Sequence, residues 1–592
     1  MSEETNAPAY RGPIAVASAI AFAYAACGIA RYETYTNQTF DLAFYARMAW
    51  GMVRGDLWDP ILGAHVFGLH LSPVLVPIGV IGAVIGTQVA LYLAQGLAVA
   101  LATVPLARLG ERRFGQLGGY AGALALVLHP NLGHVIAYEA HPGTLALLPL
   151  AWLAYAVLES EPKTLVIASL GVLACREDLA LIVLIAACVA ATRPAMRRAG
   201  LVAGGVAALW LGLFVAVLHP AFKPAHGSME AHFGPWGRSL PEIAGAIASE
   251  PMRLVRHLGE TKRLTYLPRV LAPLALLPLA SPRMLLLAAP VLGVALVSFF
   301  STTTRIDSHY LTPALPMLVA GAIEGSARVG ARIRSAPRAM PLAMIVAGLL
   351  GTVNAGLFSL RFPAPAFMTP PLPPSALDAL VRKVPAGASV EAPDPLLPHF
   401  AERAVLHRPS EFPHRTEAVI LDLGHRSRFR HDEDLLRTTE EPRARAMFAR
   451  PDYALVDQVG PYALFLRDGG AASRRVDTIR IRADVASQIT ITDCLALVRA
   501  SRVDGALALD FVARGACASD LAIRLGAEAN PSRVDLLFDG RVSPAHVRAG
   551  DVVRSLHDDP APTATVIHVG ALRSSGARPD PRDPVAVAIA IR

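Results

Sequence analysis

Long apolar runs fill the first 360 positions of the chain, broken by short polar loops, and become scarce afterwards. A membrane helix needs about 20 mainly apolar residues, with a range of about 17 to 25. The pattern predicts eleven spans, near residues 13–30, 88–108, 116–133, 142–159, 163–175, 177–192, 199–218, 265–281, 284–300, 309–325 and 338–359. The stretch QTFDLAFYARMAWGMVRGDLWDP (38–60) has a different period. Its Phe40, Phe44, Met48 and Met52 recur every four positions, which predicts an amphipathic helix over 38–56 with one apolar face. Asp41 stands at the start of that helix, and Asp56 and Asp59 follow its last apolar residue.

Basic loops orient the spans. RLGERR (108–113), RPAMRR (193–198) and ARVGARIRSAPR (327–338) fall on one side if the N-terminus is cytoplasmic and each run crosses once. Residues 31–87, 134–141, 219–264, 301–308 and everything after 360 then lie outside. HLSPVLVPIGVIGAVIG (70–86) must not cross fully in this topology; it lies along the outer face, re-enters it, or pairs with a fused neighbour. Arg31 and Glu33 occupy the place where a cleaved signal peptide would carry small residues, so the first run reads as a retained span.

Beyond residue 360 the periodicity changes twice. A proline-rich linker (361–375), within LRFPAPAFMTPPLPPS, favours extended chain. Residues 376–470 alternate helical stretches (ALDALVRKV, EDLLRTTEEPRARAMFA) with short strands (ASVEA, AVILDL, YALVDQ, YALFLRD), which predicts a small α/β domain. Residues 471–592 carry TIRIRAD, GALALDFVA, RVDLLFDG, TATVIHVG and VAVAIAIR between turn residues, which predicts a β-sandwich or jelly-roll-like module.

Composition agrees with a membrane protein. The 592-residue chain is 53% hydrophobic and 17% charged, where a soluble domain carries about a quarter charged residues. The net charge of +8 comes with arginines clustered between apolar runs, and no basic patch is interleaved with aromatics, so nucleic-acid binding is excluded. Cys27, Cys175 and Cys188 lie in apolar runs and read as small packing residues. Cys494 and Cys517 either form one disulfide, if their region is extracytoplasmic, or stay as two thiols.

In this topology the outer face collects ionisable groups. HVFGLHLSP supplies His65 and His70, and HPNLGHVIAYEAHPG supplies His129, His134, Tyr138, Glu139 and His141. CREDLAL supplies Arg176, Glu177 and Asp178, and STTTRIDSHY supplies Arg305, Asp307, His309 and Tyr310. A charge near the membrane interior costs about 2.5–3.5 kcal/mol on insertion scales, so such groups have partners or a task. Structural explanations stand beside functional ones. Asp41 or Thr39 is a favoured helix N-cap, Arg176 can pair internally with Glu177 or Asp178, and Glu139 can be a solvated loop carboxylate. The histidine segments carry donors suited to zinc or another transition metal. None has the H-x-x-x-H spacing, however, so no metal site is assigned and a divalent metal stays an open cofactor.

FDLAFYARMAW, HLSPVLVPIGV, EAHPGTLALLPLAWLAY, CREDLALIV and SHYLTPALPMLVAGAIEG, in that order, resemble a bacterial family of predicted membrane proteins, the domain of unknown function 2079. The resemblance runs from about residue 30 to 465. That family is similar to the C-type glycosyltransferases, membrane enzymes that take sugars from polyprenyl-phosphate donors. The resemblance implies a fold of that type, with Asp41 in the first outer loop as catalytic base or acceptor-orienting carboxylate. It implies Glu139 as a second catalytic carboxylate, and His70, His141, Arg176, Glu177, Asp178, Arg305, His309 and Tyr310 as substrate-binding. It departs from many such enzymes in one respect: Asp41 is followed by Leu42 where they carry a paired acidic motif.

The expectation is transfer of a sugar from a polyprenyl-phosphate donor to an envelope glycan, lipid or protein on the outer face of the bacterial cytoplasmic membrane. Arg176, Arg305 or Lys262 would stabilise the leaving phosphate. The helix over 38–56 would lie on the membrane surface, apolar face down, with Asp41 over a cavity shared with Arg176, Glu177 and Asp178. A multi-span transporter or lipid flippase, and an envelope scaffold with a glycan-binding tail, are the alternatives.

Overall fold

The computed structural model describes residues 11–222, 232–237, 239–333, 338–357, 359, 372–409, 415–422, 447, 453–459, 462–467, 488–503, 506–515, 517, 521–527, 533–537, 547, 549–558, 563–573 and 587–591. The chain divides into two units. The first is Met1–Pro371 with Pro398–Ala404; the second is Leu372–Leu397 with Val405–Arg592.

The first unit is helical. Among the described residues four helices are long and apolar enough to cross a membrane: Arg11–Glu33, Thr87–Val127, Pro142–Glu159 and Pro194–Phe222. Leu75–Ile85, Pro162–Cys175, Pro282–Val297 and Ala339–Ala355 are apolar but shorter. Helix α1 (Arg11–Glu33) buries Ala17, Ala21, Ala25 and Gly28, a small-residue stripe at helical spacing. α2 is Asp41–Met52, α3 is Leu75–Ile85, α4 is Thr87–Val127 and α5 is Pro130–Tyr138. α3 has 11 residues, a rise of about 16 Å against a hydrocarbon core of about 30 Å.

Four expected spans take a different form. The runs 88–108 and 116–133 are two arms of α4, which folds back at Gly115 (φ 67°, ψ −156°). The arms are in backbone contact, since a Cβ on Gly110 would lie 2.0 Å from the Gly118 carbonyl oxygen. The run 265–281 is not one helix. It is a helix over Tyr266–Leu271, then two 3-10 turns, with Ala275 and Leu276 between them at φ 53° and 59°. Pro268, Pro273 and Pro278 explain the break, because each lacks the amide hydrogen that a helix interior uses. The run 309–325 opens with a 3-10 turn, His309–Ala314, before helix Leu315–Arg332 begins.

α2 also departs from expectation. Every residue from Leu42 to Ala49 is buried, so the helix is enclosed by protein and does not rest one face on the membrane surface. α3 comes close enough that a Cβ on Gly79 would meet the Ala49 carbonyl oxygen at 2.2 Å. Residues 398–404 cover another side. Arg47 donates to the Ala404 carbonyl at 3.3 Å, and Glu402 accepts from the Thr87 backbone N–H and hydroxyl, both at 2.8 Å. The latter carboxylate satisfies an orphan donor at the α4 N-terminus. His399 stacks on Tyr32 and Tyr35 with centroids 4.4 and 3.9 Å away, and Gln88 donates to the Pro398 carbonyl at 2.6 Å.

The first unit holds one short antiparallel pair among its described residues, β1 (Trp58–Asp59) with β2 (Ala64–His65). In the second unit, β3 (Val390–Glu391), β4 (Leu406–His407), β5 (Ala418–Asp422), β6 (Tyr453–Val459) and β7 (Tyr462–Arg467) form a mixed sheet in the order β4-β3-β5-β7-β6. Strands β8 (Ile489–Thr490), β9 (Leu495–Val503), β10 (Ala506–Ala513) and β13 (Val552–Asp558) form an antiparallel sheet. A second antiparallel sheet contains β11 (Leu521–Gly526), β12 (Arg533–Leu536), β14 (Val566–Arg573) and β15 (Val587–Ala590). Leu497, Leu509 and Phe511 from the first of these share a core with Ile523, Leu525, Ile567 and Val569 from the second. Cys494 and Cys517 are joined by a disulfide. The segment TIRIRAD and most of EDLLRTTEEPRARAMFA and of the proline-rich linker lie outside the described residues.

Candidate functional site

Asp41 is the first residue of α2, but it is not the cap. The cap position is Phe40, without a side-chain hydrogen bond. The Asp41 carboxylate faces another way: Oδ2 lies 3.2 Å from His141 Nε2 and accepts from the Thr39 hydroxyl at 3.3 Å. The orphan amides at the helix start go to Glu139, whose Oε2 accepts from Leu42 N–H at 2.7 Å. Its Oε1 accepts from the Asn37 amide at 3.3 Å and from Thr39 N–H at 3.4 Å. Glu139 is fully buried, so it fixes the start of α2 and with it the place of Asp41.

Two more side chains brace the segment that carries Glu139 and His141. The buried Arg31 guanidinium donates to the carbonyls of Ala137 (3.0 Å), Tyr138 (3.2 Å) and Thr36 (2.6 Å). It also lies 5.0 Å over the Tyr138 ring. Gln95, on α4, accepts from His141 N–H at 3.2 Å and donates to the Glu139 carbonyl at 3.4 Å.

A line of rings continues from Asp41. His141 stacks on His309 with centroids 3.9 Å apart and planes 21° apart, and His309 lies 4.2 Å from Tyr310. Tyr310 Oη is 3.4 Å from His232 Nε2, and His232 Nδ1 is 3.1 Å from Ser298 Oγ. The His309 loop is held by Asn131 at the start of α5. Asn131 Nδ2 donates to the Ile306 and Ser308 carbonyls at 2.7 and 2.8 Å, and its Oδ1 accepts from the Thr312 hydroxyl at 3.0 Å.

Tyr45, one turn along α2, joins this line to the CRED segment. Its ring lies 5.5 Å from His141 and 6.5 Å from His70. His70 Nδ1 is 3.0 Å from Glu177 Oε1, and Glu177 Oε2 accepts from Leu71 N–H at 2.9 Å. Arg176 grips Asp178 in a bidentate pair at 2.9 and 2.8 Å, which leaves Nη1 beside Gly143. Asp41, Arg176 and Glu177 all lie within electrostatic range of the Tyr45 hydroxyl.

The remaining candidates divide. Arg305 is held by Asp307 through a bidentate pair, on the loop that Asn131 anchors. Lys262 pairs with Glu260 at 3.2 Å, and no contact among the described residues joins it to Asp41. His65 caps the short helix Val66–Leu69 by accepting from Phe67 N–H at 3.2 Å. His129 caps α5 through Asn131 N–H at 3.3 Å and meets the Val270 carbonyl at 3.0 Å, while His134 meets the Ala355 carbonyl at 2.9 Å. These three imidazoles are therefore committed to backbone groups.

The two carboxylates are driven apart electrostatically. Burial raises Asp41, but the His141 hydrogen bond and charge outweigh it and bring its pKa down to about 2. Burial, then the charge of Asp41, push Glu139 up to about 8 against the pull of Arg31 and Leu42 N–H. Carboxylates separated in this way suit one ionised base and one protonated neighbour at neutral pH. Asp41, His141 and His309 also each place one donor atom within 4.8 Å of the other two, so these three residues can hold a metal ion.

Asn131, Gln95, Arg31, Tyr45 and His232 belong to the site and its supports, yet none stands out as a site residue in the sequence. The one available signal was an asparagine directly after His-Pro at a predicted helix start, where a buried amide can brace a neighbouring loop.

Comparison with known proteins gives a family. No curated protein matches the sequence. Among solved structures the fold is similar to ArnT from Cupriavidus metallidurans bound to undecaprenyl phosphate, with a TM-score of 0.41 and 11% identity over 75% of this chain and 97% of that one. The same protein in the apo state gives a TM-score of 0.39 and 12% identity over 76% of this chain and 98% of that one. The family described as predicted membrane protein, domain of unknown function 2079, matches residues 31–445, and the chain belongs to it.

Proposed function

We propose that the protein is a glycosyltransferase of the bacterial cytoplasmic membrane. It takes a sugar from a polyprenyl-phosphate donor and passes it to an envelope acceptor on the outer face. The observation that carries this reading is Asp41: an ionised carboxylate held at the head of a buried helix, against His141 and, like Arg176, within electrostatic range of Tyr45, His309 and Tyr310. The acceptor hydroxyl gives its proton to Asp41 while its oxygen bonds to the anomeric carbon. The bond from that carbon to the phosphate oxygen breaks, the electron pair leaves with the phosphate, and Arg176 stabilises the developing charge through the donors that Asp178 does not occupy. Glu139 acts on the base by fixing its helix. His70, Glu177, His309 and Tyr310 line the sugar and phosphate subsites, and Arg305 stands at their margin.

The N-terminus is cytoplasmic and the second unit extracytoplasmic in this proposal. A disulfide between Cys494 and Cys517 supports that side, because structural disulfides persist in oxidising compartments. The two antiparallel sheets around one core act as a β-sandwich-like module outside the membrane. The test is transfer of labelled sugar from polyprenyl-phosphate donors in membranes that carry the full chain. Asp41→Asn should abolish a product that the unaltered chain forms, at equal protein level. The same labelled product from both proteins would sink the proposal.

A further inference from the structure

We propose that Asp41, His141 and His309 bind one divalent transition-metal ion of the zinc type. Two imidazoles and one carboxylate suit zinc, and three protein ligands leave a coordination position open, as catalytic rather than structural zinc sites do. Bonds of about 2.0–2.2 Å at a tetrahedral angle place neighbouring donor atoms about 3.3 Å apart. Asp41 Oδ2 and His141 Nε2 are already 3.2 Å apart, and one donor from each of the three residues lies within 4.8 Å of the other two, so the spacing is near that of a ligand set.

A second observation points the same way. His141 is buried and its Nδ1 has no hydrogen-bond partner, an exception to the rule that buried polar atoms are satisfied. Nε2 meets the Asp41 carboxylate and Nδ1 meets no protein group, so no backbone carbonyl claims the nitrogen that would ligate the ion. The other histidines picked out in the same sequence segments, His129 and His134, spend theirs on backbone groups.

The ligands are also braced from outside the cluster. Glu139 fixes the start of α2, Gln95 and Arg31 fix the segment ending at His141, and Asn131 fixes the loop leading to His309. Binding groups held by surrounding hydrogen bonds are what a preorganised metal site requires. Ion binding does not depend on the glycosyltransferase reading; only the use of the open position, to polarise a donor phosphate oxygen, rests on it.

The experiment uses the full-length protein, purified without a polyhistidine tag, stripped with a chelator and titrated with Co(II) while visible absorption is followed. The expected result is one equivalent bound with cobalt ligand-field bands, an affinity at least 100-fold weaker in His309→Gln, and a thiolate-to-cobalt band in His309→Cys. No binding by the unaltered protein, or equal binding by His309→Gln, overturns the site. Should His309→Gln fail to fold, His309→Cys decides: the thiolate band supports the site and its absence overturns it. Sugar transfer without cobalt binding overturns the metal site alone, and His309-dependent cobalt binding without sugar transfer leaves it standing.

Discussion

Asp41 and His141 lie 100 positions apart in the chain and meet at 3.2 Å. Neither residue provides the framework of that contact. The carboxylate is placed by the head of α2, which Glu139 anchors, and the imidazole by a backbone segment clamped to Gln95. Changes to the pair and changes to its supports should therefore have different signatures.

Removing the charge tests the pair. Asp41→Asn keeps an oxygen for the Thr39 hydroxyl but no longer accepts a proton. Sugar transfer should fall by about 10²–10⁴-fold, the usual range for loss of a general base. Protein yield and thermal midpoint should change little. Labelled-product counting beside a quantitative blot checks both.

Glu139 predicts a pH dependence of stability. Its folded pKa of about 8 stands above the ordinary value of 4.5, so between these the folded state holds a proton that the unfolded state releases. Its contribution is fully present below about pH 4.5 and declines as pH rises to about 8. Thermal midpoints in detergent across this window should fall, and Glu139→Gln, which cannot ionise, should flatten the slope.

Asn131 is a positioning residue. Asn131→Ala leaves the Ile306 and Ser308 carbonyls and the Thr312 hydroxyl without their amide partner. Each buried group left unsatisfied costs about 1–3 kcal/mol. A lowered thermal midpoint is expected, together with weakened Co(II) binding, since the same loop carries His309.

Arg176 separates charge from shape. Arg176→Ala should reduce sugar transfer strongly, and Arg176→Lys should restore only part of it. An ammonium supplies the charge but not the fork that holds Asp178 at 2.9 and 2.8 Å. Initial rates against donor concentration for both variants check this.

The Cys494–Cys517 disulfide spans 23 residues, and closing such a loop is worth about 3 kcal/mol in the chain-entropy account. Cys494→Ser should lower the stability of the second unit by about that amount. Thiol labelling under denaturing conditions, with and without reductant, identifies the bond, and protease resistance reports the loss.

The membrane character of the first unit was plain in the apolar runs, because burial in lipid demands length and composition that nothing else explains. Where those runs bend was not. Gly115 looks like any glycine until the backbone contact of Gly110 with Gly118 demands a reversal there. The period of Phe40, Phe44, Met48 and Met52 marked a helix correctly but named the wrong neighbour. An apolar face reads the same whether it meets lipid or protein, and the burial of Leu42, Tyr45 and Ala46 on the other side comes from segments distant in sequence. In the tail, the strands GALALDFVA, RVDLLFDG, TATVIHVG and VAVAIAIR were legible. Strands β9 and β13 were not picked out, because arginines break their apolar pattern; Arg499 and Arg554 are held there by the buried Asp510.

For the site, most of the titratable side chains could be read and their uncharged supports could not. Aspartate, histidine and arginine in apolar surroundings attract notice because desolvation makes them costly. Asn131 and Gln95 carry no charge, and their importance lies in which carbonyls they meet, a property of the folded chain alone. His65, His129 and His134 show the converse, since a cap and a ligand have the same letter.

Residues 398–404 complete the first unit although they follow its last helix by some forty positions. During synthesis the helical part must therefore wait, with the head of α4 uncapped and Arg47 lacking a carbonyl, until the ribosome has passed Ala404. A nascent chain halted in the proline-rich stretch would leave an unfinished bundle in the bilayer, and quality-control proteases should distinguish it from one that has received its closing segment.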